Sequence, residues 1–130
     1  MPFSIEKRPG GLFISFSGDL TLAEVQSWRT ESMKFVLAYS EPFGVVIDMR
    51  GLRPLGPDVQ KAFLEAQRYY YENGMVRSAV VAPDRLVMMQ FRRVAFATGI
   101  SAHERYFDGS KSGWGGHAVA WVKSAVEPPA

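Results

Sequence analysis

Cysteine is absent from the chain. Its absence excludes disulfides, thiolate metal sites and cysteine nucleophiles, and suits a reducing compartment. Histidine is scarce, with only His103 and His117, so imidazole has little scope as an acid, base or metal ligand. No apolar run approaches the length of a membrane span. The opening stretch Met1-Pro2-Phe3-Ser4-Ile5-Glu6-Lys7-Arg8 ends in charge and lacks the apolar centre of a secretory signal. The expected address is the cytoplasm, with no integral membrane segment. Charge of one sign is also lacking. The net value is +2, and the arginines are interleaved with acids. That argues against nucleic acid as a partner, which usually needs a basic stripe.

What remains is the material of one domain. A chain of 130 residues can bury a single core without staples. An apolar share of 47% against 22% charge rules out whole-chain disorder. No repeat or long linker divides it. The expectation is a single domain over 1–130, with 126–130 a frayed tail.

Periodicity and punctuation place the elements. Phe3–Glu6 and Leu12–Phe16 alternate around the turn Pro9-Gly10-Gly11, which predicts a hairpin. Thr21-Leu22-Ala23-Glu24 is a capping box, with Leu20 and Val25 at staple spacing. Val25, Trp28, Phe35, Val36 and Tyr39 mark the inner face of a first helix that ends before Pro42. Phe43–Asp48 is a β-branched run without alternation, a strand covered on both faces. A loop is expected over 49–56. Pro57 and Asp58 open a second helix, with Val59, Ala62, Phe63, Ala66 and Tyr70 inward and Asn73-Gly74 as its stop. Ser78–Ala82 is another buried strand. Asp84 caps a third helix from Arg85 to Thr98, ended by Gly99, with Val87, Phe91, Val94 and Thr98 as its inner stripe. A short strand at Glu104–Phe107, a loop over 108–116 and a final helix from His117 to Val126 complete the chain. In that helix Val119, Trp121 and Val122 are apolar. The pattern β-β-α-β-α-β-α-β-α predicts an α/β fold with a mixed, mostly parallel sheet and right-handed crossovers.

Catalytic patterns do not assemble. His103, Glu104, Asp108 and His117 match no zinc spacing. Gly109-Ser110-Lys111-Ser112-Gly113 lacks both the phosphate-loop spacing and the nucleophile-elbow pattern, and reads as flexible connection. Asp48 stands at a strand end, where α/β sheets bind ligands, or it hydrogen-bonds the following loop. No cofactor, metal or catalytic residue is expected, and the chain is not expected to be an enzyme.

Several stretches together resemble the STAS fold of anti-sigma-factor antagonists, and its SpoIIAA-like branch. They are Gly18-Asp19-Leu20-Thr21-Leu22 before the first helix and Val45-Val46-Ile47-Asp48 followed by Gly51-Leu52. Arg77-Ser78-Ala79-Val80-Val81, the Gly99 helix end, Arg105-Tyr106-Phe107 and Ala118-Val119-Ala120-Trp121-Val122 follow. The resemblance spans Phe3 to Val122. It implies a non-enzymatic, regulatory protein-interaction module in signalling. In phosphoswitching members a serine or threonine follows an aspartate at the start of the second helix. Here that stretch is Gly56-Pro57-Asp58, without a hydroxyl, so switching by Ser/Thr phosphorylation is not expected. Asp58 either imitates the phosphorylated form or is the ordinary acid of a first helical turn.

Two surfaces are expected to matter. The start of the second helix (Leu55, Asp58) and the third helix (Met88, Met89, Arg92, Arg93) form the expected site for a regulatory protein partner. Helix 3 carries more apolar and cationic side chains than one buried stripe uses, unless that stripe is simply wide. Tyr70 fits the core, whereas Tyr69 or Tyr71 is a candidate exposed anchor. The alternative expectation is a small apolar, lipid-like ligand, held by Asp48, Tyr70, Met88 and Phe96 as SpoIIAA-like proteins resemble lipid-binding folds in outline. A homodimer is compatible with either.

Overall fold

The structure, a computed structural model, describes residues 2–128 apart from the side chain of Thr98. Pro129, Ala130 and the inward turn expected of Thr98 lie outside the described residues. Five strands and four helices follow one another: β1 (Phe3–Arg8), β2 (Gly11–Gly18), α1 (Leu22–Ala38), β3 (Phe43–Leu52), α2 (Pro57–Glu72), β4 (Met75–Ala82), α3 (Arg85–Thr98), a 3-10 turn at Ile100–His103, β5 (Glu104–Asp108) and α4 (Trp114–Ser124). The sheet order is β1-β2-β3-β4-β5. β1 pairs antiparallel with β2, and the other neighbours are parallel. The chain is therefore α/β with a mixed, mostly parallel sheet.

Strands that advance one place at a time in one direction, through crossovers of one hand, place their helices on one face. The core divides accordingly. Leu12, Ile14, Phe16, Val45, Met49 and Val80 share a large cluster with Val25, Trp28, Phe63 and Phe91 of α1 to α3. The alternate residues Val46, Ala79, Val81 and Phe107 meet Ala118 and Trp121 of α4 on the opposite face. β3 and β4 are thus covered on both sides, which explains their unbroken apolar runs. α4 is fastened by Trp121, whose Nε1–H donates to the Ser78 carbonyl at 2.9 Å. Arg77 donates through Nε to the Val122 carbonyl at 3.1 Å, satisfying an end of α4.

Local choices fix the details. The expected bounds of α3 hold because both ends are chemically marked. The Asp84 carboxylate accepts from Val87 N–H at 2.9 Å, and Gly99 takes the left-handed conformation at φ 82°. Gly11 has a different reason to be glycine: a Cβ there would run into the Gly44 carbonyl oxygen of the neighbouring strand.

Three expectations change. Residues 49–52 continue β3 rather than forming loop, because β2 carries on past a register shift to pair Ser17 with Gly51 and Gly18 with Leu52. α4 begins at Trp114, not His117, and ends at Ser124, not Val126. Gly115 and Gly116 are poor helix formers, but burial of Ala118 and Trp121 against the sheet outweighs their local cost of about 1 kcal/mol each. Finally, Glu127 is tied down: its carboxylate accepts from Arg105 Nε at 2.7 Å and from Nη2 at 3.0 Å.

The N-terminal cap of α1 gives a direct test of this packing logic. Thr21 Oγ1 accepts from Glu24 N–H at 3.2 Å, and Glu24 Oε1 accepts from Thr21 N–H at 2.9 Å. Thr21→Ala is expected to cost about 1 kcal/mol, measured by urea denaturation with an unchanged slope.

Candidate functional site

The expected partner surface is split by the fold. Leu55 is buried, 6% exposed, within the main core. Its N–H donates to Gln90 Oε1 at 3.1 Å, and its carbonyl accepts from Gln60 Nε2 at 3.0 Å and Gln90 Nε2 at 3.3 Å. Leu55 therefore locks the loop onto α3 and offers no side chain to a partner. Asp58 is exposed but lines the groove between α1 and α2, with Gln26, Arg29 and Lys61. Met88 is half-buried and turns toward Tyr106, Trp114 and His117. Met89, Arg92 and Arg93 point outward.

The outward face of α3 is larger than those three residues. Met89 is 60% exposed, Leu86 54% and Phe96 80%. Arg85, Arg92 and Arg93 are exposed as well. At 100° per residue, Met89 and Phe96 form the centre, Arg85 and Arg92 one flank, and Leu86 and Arg93 the other. No acid lies between Arg85 and Thr98, so no i,i+4 pair balances the arginines. Arg85 even occupies the first turn, at the positive end of the helix dipole. Among the described residues none of the three forms a salt bridge. Arg92 instead lies over the Tyr106 ring, 5.0 Å from its centre.

The residues expected for an apolar ligand do not converge. Asp48 is held by Arg50, whose Nε and Nη2 reach its two oxygens at 3.0 and 2.9 Å, and it also accepts from Arg50 N–H at 3.1 Å. Because β3 runs on to Leu52, Asp48 is neither at a strand end nor bonded to a following loop: it pairs with Arg50 within the same strand. Phe96 stands in solvent while Tyr70 is buried beside Trp28. Tyr70 does line a cavity, with Trp28, Phe63, Gln67, Ser78 and Phe91, but its volume is about 20 Å³. That accommodates a water rather than a lipid-like molecule. The Tyr70 hydroxyl has Ser32 nearby but makes no hydrogen bond of good geometry, and burial raises its pKa. Trp28 Nε1 is likewise without a protein partner. Tyr71, by contrast, is exposed and stacks on His103 with ring centres 6.2 Å apart.

Sequence reasoning missed Glu104. It was weighed only as a metal ligand, yet the structure buries it, 2% exposed, on the helix-covered face of β5. Among the described residues it is the one charged side chain in the core. Its Oε1 accepts from Gln67 Nε2 at 3.0 Å and Ser78 Oγ at 2.9 Å, and its Oε2 from the Tyr106 hydroxyl at 2.7 Å. Burial pushes its pKa up to about 7, while the hydrogen bonds from Tyr106, Ser78 and Gln67 hold it back. The pKa of Tyr106 is raised in turn, by burial and then by the neighbouring Glu104. A chain of contacts therefore runs from a buried carboxyl through Tyr106 to Arg92 on the exposed face of α3. His103, Glu104, Asp108 and His117 do not gather: among the described residues no group of three metal-ligating side chains forms.

Glu104 makes stability depend on pH in a defined direction. Its folded pKa is above its ordinary value of 4.5, so the folded state binds the proton more tightly. Stability from this group is full below pH 4.5, falls as pH rises toward 7, and is level above that. The loss is on the order of 3 kcal/mol. Glu104→Gln reproduces the protonated form, its amide N–H₂ facing the Tyr106 oxygen and its carbonyl facing Gln67 and Ser78. The variant is expected to fold and to remove this decline, read as denaturation midpoints from pH 4 to pH 8. Parallel wild-type and variant curves would refute the assignment.

No protein-family model matches the chain, and no curated protein is matched by it. Its functional reading rests on the geometry above.

Proposed function

We propose that the chain is a STAS-like, SpoIIAA-like regulatory module that works by binding a protein partner rather than by turnover. It is not switched by Ser/Thr phosphorylation at the start of α2. The carrying observation is the outward face of α3, where Leu86, Met89 and Phe96 stand in solvent among Arg85, Arg92 and Arg93. Such a face costs solubility and gains nothing for the fold, so its chemistry points to a partner. All its cations are arginine. Arginine, methionine and phenylalanine are enriched at protein interfaces and lysine is depleted. The planar guanidinium fork suits carboxylates. The partner is therefore an apolar surface rimmed by Asp and Glu, such as an acidic amphipathic helix.

The rest of the domain supports this reading by holding α3 rigid. Gln90 latches its inner side to the Leu55 backbone, Phe91 packs edge-on against Phe63, and Tyr106 steadies Arg92. A presented helix that is already ordered loses little entropy on binding. The absence of a hydroxyl from Gly51 to Lys61 supports the second part of the proposal, since no phosphate can be attached there. The smallness of the cavity beside Tyr70 weighs against the apolar-ligand alternative.

The test replaces the face without touching the core. The combined variant Met89→Glu, Arg93→Glu and Phe96→Glu is expected to melt within a few degrees of wild type, because all three side chains are exposed. It is expected to lose every specific protein captured by wild type, measured by quantitative affinity purification with circular dichroism as control. A folded variant that retains the same proteins would sink the proposal. So would wild-type protein that sediments with anionic phosphatidylserine vesicles and captures no protein.

A further inference from the structure

We infer that the free edge of β1 is a self-association surface, through which two copies of this chain join antiparallel about a twofold axis at Ile5. The inference uses residues remote from α3 and does not depend on the reading of that helix.

β1 pairs with β2 alone among the described strands. The Pro2 carbonyl accepts from Ser17 N–H at 2.9 Å, so residue 2 directs its backbone toward β2. By alternation the N–H and C=O groups of Phe3, Ile5 and Lys7 point outward, unpaired by the sheet. The strand runs six residues without proline or register shift. Against strand addition it carries charged side chains, Lys7 among them, but no proline or bulge.

Beside it lies an open groove of about 700 Å³, between Phe3 and Ile5 on the strand and Glu24, Ser27, Glu31 and Phe35 on α1. An added strand would lay its inward side chains over this groove. The occupant that matches is β1 itself. With the axis at Ile5, Ile5 meets the second copy's Ile5 as a hydrogen-bonded pair, and Phe3 meets the second copy's Lys7. All outward N–H and C=O groups then find partners. The apolar floor gains a second Ile5. The second copy's Lys7 arrives on the side where α1 presents Glu31, whose own contact to Lys34 is long at 3.8 Å, and Glu24, which uses Oε1 in the cap of α1. Among the described residues of the single chain, the Lys7 ammonium lies over the Tyr39 ring, 5.6 Å from its centre. The register is thus self-complementary in hydrogen bonding, apolar contact and charge, as a twofold interface requires.

The test measures mass by light scattering behind size exclusion across a dilution series. Wild type is expected at twice the chain mass at high concentration. Lys7→Pro removes an outward N–H while leaving the β1–β2 ladder intact, and Lys7→Glu sets like charge against Glu24 and Glu31. Both are expected to be folded monomers. Ile5→Cys, the sole thiol in the chain, is expected to cross-link into a dimer on mild oxidation, since paired Cα atoms sit about 5.5 Å apart. Ser17→Cys, on β2, is not. A wild type that stays monomeric throughout overturns the inference, as does a dimer that survives both Lys7 variants or an Ile5→Cys protein that fails to cross-link. The α3 face variant is expected to remain dimeric, which separates the two surfaces.

Discussion

The hand of the β-α-β crossover governs the whole molecule. A right-twisted strand feeding a helix returns to its parallel neighbour with a single preferred hand. Here β2, β3, β4 and β5 advance steadily in one direction, so α1, α2 and α3 lie on one face and α4 is left to cover the other. In doubly wound sheets the strand order reverses, and ligands bind in the crevice at the reversal. This sheet has no reversal. Short local bonds occupy its carboxylates instead: Arg50 holds Asp48 within β3, and Ser110 bonds Asp108 at the end of β5. The topology shifts attention from a crevice to the outer surfaces of the elements.

The same winding sets the cost of polar residues. β4 is buried on both faces, so Ser78 must satisfy its groups in two directions: its carbonyl accepts from Trp121 on one side of the sheet, and its hydroxyl donates to Glu104 on the other. Glu104 in turn needs three donors because its carboxyl lies out of reach of water. A network of this kind is stable only when complete. It lies where β4 and β5 meet α2, with Ser78, Tyr106 and Gln67 as its donors. Its contacts lead through Tyr106 toward Arg92, not toward the β1 end of the sheet.

The elements marked by local chemistry were legible in the sequence. Thr21 with Glu24, Asp84 with Gly99, and Asn73 state helix ends through groups that satisfy orphan backbone atoms. Pro57 does so by lacking an N–H and by its fixed φ, and all these signals are short-range. The inner faces of α1 and α2 followed from period alone. What failed was long-range. The extension of β3 to Leu52 depends on where β2 happens to end, and the start of α4 at Trp114 depends on packing that overrides two glycines. Leu55 looked like a loop residue, yet Gln90, thirty-five positions away, ties it inward. Glu104 was hidden for a similar reason. In Glu104-Arg105-Tyr106-Phe107 alternation assigns Phe107 to a core and Glu104 to solvent. Only a sheet covered on both faces buries both. The exposed side of α3 was partly readable, as an excess of methionine and arginine. Period sets Phe96 outside the inner stripe of α3, where the structure leaves it exposed; only the family resemblance gives it a place in a pocket.

The two proposed surfaces sit at opposite ends of the sheet. α1 rests against β1, while α3 lies over β4 and reaches β5 through Arg92 and Tyr106. A pair joined at β1 would place its two α3 faces outermost, pointing away from the shared edge. Neither contact would obstruct the other, and no residue serves both. Such a pair could engage two copies of a partner, or two segments of one, with the second event made intramolecular at an effective concentration of about a millimolar for short connections. The individual α3 contact could then be weak and quickly reversible while the pair holds firmly. The two properties are compatible, because joining two copies raises avidity without enlarging the patch.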